Sequence, residues 1–126
     1  MLRYILWFVA VVGAIMVVAL LRDLALLRAV RNVSIEALDF TKLRDGEYAG
    51  EYIAGRHSNK VKATVESGRV TGIDIVQEAQ YGADVQRQVI SRVVETQSLQ
   101  VDTVSGATVT TRAALKAIEN ALSAAR

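Results

Sequence analysis

Cysteine is absent from the 126 residues. Its absence excludes disulfides, thiolate metal sites, iron–sulfur ligation, a cysteine nucleophile and a lipid anchor on an N-terminal cysteine. There is one histidine, His57, and a single imidazole speaks against a zinc or haem centre. Any redox chemistry then has to come from an organic cofactor. Proline is missing too, an absence that decides nothing about function. Positive surplus is lacking outside the N-terminal piece. Residues 1–31 carry four Arg against one Asp, or +3, while residues 32–126 carry eleven basic and twelve acidic groups, or −1. A body without a phosphate-neutralising patch argues against nucleic acid as a partner. No acid–base or nucleophilic constellation stands out for stand-alone catalysis.

Hydrophobic residues are concentrated at the N-terminus. In residues 1–31 only Arg3, Gly13, Arg22, Asp23, Arg28 and Arg31 fall outside the hydrophobic set. Tyr4 to Leu21 is an uncharged run that spans about 27 Å as a helix, close to the hydrocarbon thickness of a bilayer. Arg3 and Arg22 bracket it and can snorkel to the two interfaces, and Tyr4 and Trp7 sit where interfacial aromatics are favoured. A cleaved signal peptide would have a shorter apolar region and a small-x-small site. This run leads instead into Arg22-Asp23-Leu24-Ala25-Leu26-Leu27-Arg28. The expectation is a retained single-pass anchor, with its helix continuing to about Val30. The division that follows is an anchor over 1–31, a connector over 32–45 and one domain over 46–126. Flanking charge, Arg3 and the amino terminus against Arg22, Arg28 and Arg31, leans towards a cytoplasmic C-terminal domain.

The soluble part changes period along its length. Glu47 to Ala54 is β-like. Lys60 to Glu66 alternates, with Val61, Ala63 and Val65 on one face, as a half-buried strand does. Ser67-Gly68 is a hairpin signal, and Arg69 to Val76 is the return strand, in which Gly72 marks a bulge. From Gly82 the period becomes helical, with Val85, Val89, Ile90, Val93 and Val94 as a stripe. Leu99 to Val101 reads as a short extended piece, and a second helix starts at Val109 or Thr110. His57 reads as a solvated loop residue, and Tyr81 as a loop aromatic. The class is α+β: a small antiparallel sheet with two packing helices, preceded by a single transmembrane helix.

Before the last helix lies Asp102-Thr103-Val104-Ser105-Gly106-Ala107-Thr108-Val109-Thr110-Thr111. Hydroxyls, a carboxyl and a glycine gather at a helix start. Two readings fit: an ordinary N-cap, or an anion site built from free N–H groups and the helix dipole. Gly106 and Ala107 would let a phosphate approach the main chain.

The stretch Asp102 to Thr108 resembles the flavinylation motif of FMN-binding domains. Such domains occur in the flavin-carrying subunits of the sodium-translocating NADH:quinone oxidoreductase and of the Rnf electron-transport complex, and in smaller anchored proteins. Asp45-Gly46-Glu47-Tyr48-Ala49-Gly50-Glu51-Tyr52 is similar to the family's opening strand. Val65 to Ile73 is similar to its hairpin, and Arg112 to Ile118 to its closing helix. The resemblance implies FMN attached covalently, as a phosphoester, to Thr108 by a flavin transferase, with Asp102, Ser105, Gly106 and Ala107 as the other recognition positions. Thr110 and Thr111 are further candidate phosphate contacts or first-turn caps. Tyr48 and Tyr52, on one strand face, are candidates for stacking on the flavin or are core aromatics. The implied function is a membrane-anchored electron carrier, with membrane or envelope redox proteins as donor and acceptor. The alternative is an anchored module that holds flavin non-covalently or not at all. The resemblance also implies an extracytoplasmic domain at the cell membrane, against the lean of the flanking charges.

Overall fold

Alternation dictates the sheet. Val61, Ala63 and Val65 are fully buried, and the residues between them are not. They form the middle of β2 (Asn59–Glu66), which pairs antiparallel on one side with β1 (Gly46–Tyr52) and on the other with β3 (Arg69–Gln77). The computed structural model describes all residues, 1–126. It completes this three-stranded meander with α1 (Leu2–Arg31), α2 (Ala83–Thr96) and α3 (Thr108–Ser123). The fold is α+β. In β3 the pairing slips between Thr64 and Val65, so that Thr64 faces Gly72 while Val65 faces Val70. The extra residue is thus Thr71, next to the glycine that marks the bulge, and a second slip leaves Val76 unpaired.

Helix α3 lies on β1 with almost no gap. A Cβ on Gly50 would stand 2.2 Å from the Ala121 nitrogen and 2.5 Å from the Ala117 carbonyl oxygen. Only a residue without a side chain permits that approach. Ala114, Ala117, Ile118, Ala121 and Leu122 of α3 then close the core with β2, Val89 and Val93 of α2, and Leu99.

Some sequence expectations change. The segment 32–45 is more than a connector, because Phe40 and Leu43 are buried in the main core and Ile35 and Leu38 pack on it. Leu99 to Val101 forms no strand; Leu99 is simply a buried anchor. Gln86, outside the apolar stripe, is buried. Its side chain donates to Asn59 Oδ1 at 3.2 Å and accepts from the Ala79 N–H at 3.2 Å. Asn59, also buried, donates to the Ala113 carbonyl. This polar network joins β2, α2 and α3 at one point, and a binary hydrophobic pattern cannot show it. Gln97, with φ 53°, ends α2, and its amide bonds both the N–H and the C=O of Val70, completing the open edge of β3.

Helix α1 is long and apolar enough to cross a membrane, and its membrane-length window is not buried in the protein. Its last turns meet the domain. Val30 is 1% exposed and packs with Ala54 and Ala113. Arg112 Nη1 donates to the Val33 carbonyl at 2.8 Å, holding the exit of α1 against α3.

Candidate functional site

The turn before α3 begins with the Ala107 N–H donating to the Val104 carbonyl at 2.9 Å. Gly106 inside it has φ +73°, a left-handed conformation that glycine adopts without strain. A Cβ added there would meet nothing within 4 Å. The helix starts at Thr108, one residue earlier than the apolar pattern suggests, with Ala107 as its cap and no side-chain cap bond. Thr111 is the first residue whose N–H returns to a helical carbonyl, that of Ala107. The N–H groups of Thr108, Val109 and Thr110 are the usual orphans of a helix start, and the positive end of the dipole lies among them. Ser105 and Asp102 are exposed and Thr108 is half-buried at this opening.

Thr110 and Thr111 are buried. Thr111 is 1% exposed, and its hydroxyl accepts from the Val104 N–H at 3.3 Å, which ties the turn back onto the helix. Thr110 is 9% exposed. Its methyl and hydroxyl fill the space above Gly82, where a Cβ would stand 2.4 Å from Cγ2. The Thr110 hydroxyl also lies 3.4 Å from His57 Nδ1. His57 is therefore half-buried, against the solvated loop expected, and desolvation holds its pKa below the ordinary 6.5.

A cavity of about 290 Å³ runs beside the turn, walled by Asp102 and Thr103 on one side and by Thr111, Arg112 and Leu115 on the other. Thr108 stands three, four and seven residues before those α3 residues, on the same side of the helix. Arg112 stands one helical turn after Thr108, and its Nη1 is held on the Val33 carbonyl. Apart from its bond to Val33, its guanidinium is under-used: Nε is buried with no partner. Arg92 steadies the opposite wall by donating to the Asp102 carbonyl at 3.2 Å. Free N–H groups, an open glycine and two nearby guanidiniums are the kind of group that can accept an anion.

The tyrosines separate. Tyr48, Gly50 and Tyr52 share the face of β1 that meets α3. Tyr52, like Val109 near the start of α3, packs against the Val30, Ala54 and Ala113 cluster. Tyr48 lies by the end of that helix, where the Arg44 N–H bonds the Ala125 carbonyl, and its hydroxyl donates to the carbonyls of Arg44 and Asp45. With α3 about 24 Å long, the fold does not bring Tyr48 to the turn. Tyr81 is exposed beside the 3-10 turn Gly55–His57, where Arg56 Nη1 donates to its hydroxyl at 2.9 Å.

Sequence reasoning passed over Arg112, although its place four residues after Thr108 was a readable signal. It also missed the Asn59–Gln86 pair and the contact of His57 with Thr110, which link residues 27 and 53 positions apart. A family model described as FMN-binding domain matches residues 57–123, which is 67 of the 126 residues and runs from the turn before β2 to the end of α3. No curated protein matches the chain.

Proposed function

The chain belongs to the FMN-binding domain family, and from that premise we propose that it is a membrane-anchored electron carrier with FMN esterified to Thr108. The observation that carries this reading is the uncapped start of α3, with Gly106 open above it and Thr108 as its first residue. The residues present fit the phosphate of the group. The N–H groups of Thr108, Val109 and Thr110 and the guanidinium of Arg112 would hold it, and Arg112 has a buried donor to spare. Bound FMN supplies one- and two-electron transfer, which no side chain of this protein can.

Attachment moves the FMN half of FAD. The Thr108 oxygen bonds to phosphorus, AMP leaves and the hydroxyl proton is released. The chain places no base on that hydroxyl; its one imidazole is next to Thr110 instead. Activating the nucleophile therefore falls to a flavin transferase. What the protein contributes is a hydroxyl on a rigid helix end, room for the phosphate and charge to hold it. Asp102, Ser105 and Ala107 are positions for the transferase to read, and Thr110 and Thr111 keep the turn in shape from behind. Donor and acceptor are redox proteins of the membrane or envelope, and the domain lies outside the cytoplasm.

Co-expression with a flavin transferase tests the reading. The denatured band should fluoresce, and its intact mass should rise by FMN less one water. Thr108→Val should lose both and remain folded. A folded protein that releases its flavin on denaturation would instead be the non-covalent module. Protease added to intact spheroplasts should remove the domain and leave the N-terminal fragment; protection until lysis would put the domain inside.

A further inference from the structure

Strand register puts three exposed apolar side chains at one end of the sheet. Tyr52 pairs with Asn59 and Lys60 with Gln77, so Ile53, just past β1, and the bulged Val76 of β3 lie at the same end. Ile53 is 77% exposed and Val76 57%. Tyr81, 53% exposed, follows a few residues after β3. This is also the end that receives α1. Leu26 of α1 comes so close to Gly55 that a Cβ there would be 2.8 Å from it. Asp23 and Leu27 line one cavity of about 280 Å³ together with Arg56, His57 and Tyr81.

That shared cavity sets a height. The uncharged run of α1 ends at Leu21, and Asp23 to Leu27 extend about 3–9 Å beyond it at 1.5 Å per residue. The headgroup layer on each side of a bilayer is roughly 5–8 Å deep. Arg56 and Tyr81, facing Asp23 and Leu27 across the cavity, are therefore at headgroup depth if α1 spans the bilayer. Arg56 paired with the Tyr81 hydroxyl is an amphipathic pair suited to that layer, with the ring towards lipid and the cation towards phosphate. The opposite end of the sheet, at the Ser67-Gly68 turn, has no comparable apolar group: Glu66, Ser67 and Arg69 are all polar there.

We propose that the domain does not hang free of its anchor but is seated on the membrane, with Ile53, Tyr81 and Val76 in the headgroup layer and Arg56 on lipid phosphate. This rests on the anchor reading above. The start of α3 is at the same end, because Val109 packs against the cluster that Val30 of α1 forms with Ala54 and Ala113. Seating therefore fixes Thr108 close to the bilayer surface, facing partners within the membrane rather than soluble ones.

Trp7, the one tryptophan, makes the test separable. The full chain is reconstituted at low density in vesicles of phosphatidylcholine and phosphatidylglycerol, with and without acyl chains brominated near the headgroup. Quenching of Trp7 establishes that α1 is inserted. In a Trp7→Phe background, Ile53→Trp and Tyr81→Trp should each be blue-shifted and quenched several-fold more than Arg69→Trp at the far end. If Trp7 is quenched and the new tryptophans behave as Arg69→Trp does, the seating is wrong and the anchor stands. If Trp7 is not quenched, the anchor itself fails. Quenching or blue shift that appears only at high protein density would assign the patch to a second copy and overturn the lipid assignment.

Discussion

Helices α2 and α3 both start beside a left-handed glycine and are used differently. Each follows a left-handed glycine, Gly82 at φ +77° and Gly106 at φ +73°, and neither has a side-chain cap. Over Gly82 the protein has laid its own Thr110, at 2.4 Å from where a Cβ would be; over Gly106 there is nothing within 4 Å. The same backbone device serves packing in one place and leaves an approach open in the other. Gly82 is itself the cap of α2, while Gly106 stands one residue before Ala107, the cap of α3; beyond that offset, what separates a structural helix start from a candidate binding one is the neighbour that tertiary folding supplies. The two are also linked, because the residue that closes Gly82 stands two positions after the threonine that the open start presents.

The sharpest break in this comparison comes from the same substitution at both glycines. Gly82→Val drives a branched side chain into Thr110 and strains φ, so a loss of about 3–5 kcal/mol or failure to fold is expected. Gly106→Val meets no neighbour and should cost only about 1–2 kcal/mol from the left-handed backbone, yet abolish flavin attachment by crowding the phosphate. Urea unfolding and fluorescence of the denatured band check both; equal stability losses would erase the distinction.

Next in size is the network that keeps the closed start in place. Gln86→Leu leaves Asn59 Oδ1 and the Ala79 N–H without their partner, and buried unpaired groups cost about 1–3 kcal/mol each. A loss of roughly 2–3 kcal/mol in urea midpoint analysis, with attachment retained in the folded fraction, would keep stability and site separate.

Thr111→Val tests the strap of the open start. It removes the acceptor of the Val104 N–H and should cost about 1 kcal/mol. The flavinylation rate should fall without reaching zero, in contrast to Thr108→Val. A time course of band fluorescence distinguishes partial from complete loss.

The smallest effect comes through His57, which touches the threonine shared by the two regions. Its folded pKa is below 6.5 because burial disfavours the cation. The unfolded chain then binds more protons just below that pH, so stability falls as pH drops through the window beneath the unfolded value. Melting temperatures taken between about pH 7.5 and about pH 5 should decline less in His57→Gln than in the natural chain; parallel declines would assign the acid sensitivity to other groups.

Much of the fold was legible because it rests on local periodicity. Val61, Ala63 and Val65 announce β2, the Ser67-Gly68 pair announces the hairpin, and the run from Tyr4 to Leu21 has the length of a bilayer core. The hydroxyl-rich turn was legible as a chemical cluster, and so was its place before a helix. The burial of Thr110 and Thr111 was not, since three hydroxyls in the first turn of a helix look alike until two of them meet Gly82 and Val104. Phe40 and Leu43 were hidden for a similar reason: without a period, a segment that packs reads the same as one that merely connects.

By itself the sequence determined what is periodic or covalent: the strands, the helices, the apolar span, the absence of thiol chemistry, and a threonine after Ser105-Gly106-Ala107. Tertiary structure decided which glycine is covered, which threonine is free, that Tyr48 and Tyr52 go to opposite ends of α3, and that α1 docks where α3 begins. Those outcomes depend on contacts between residues dozens of positions apart, and only the closed chain, with α3 pressed so near Gly50 that no Cβ would fit there, brings them within range.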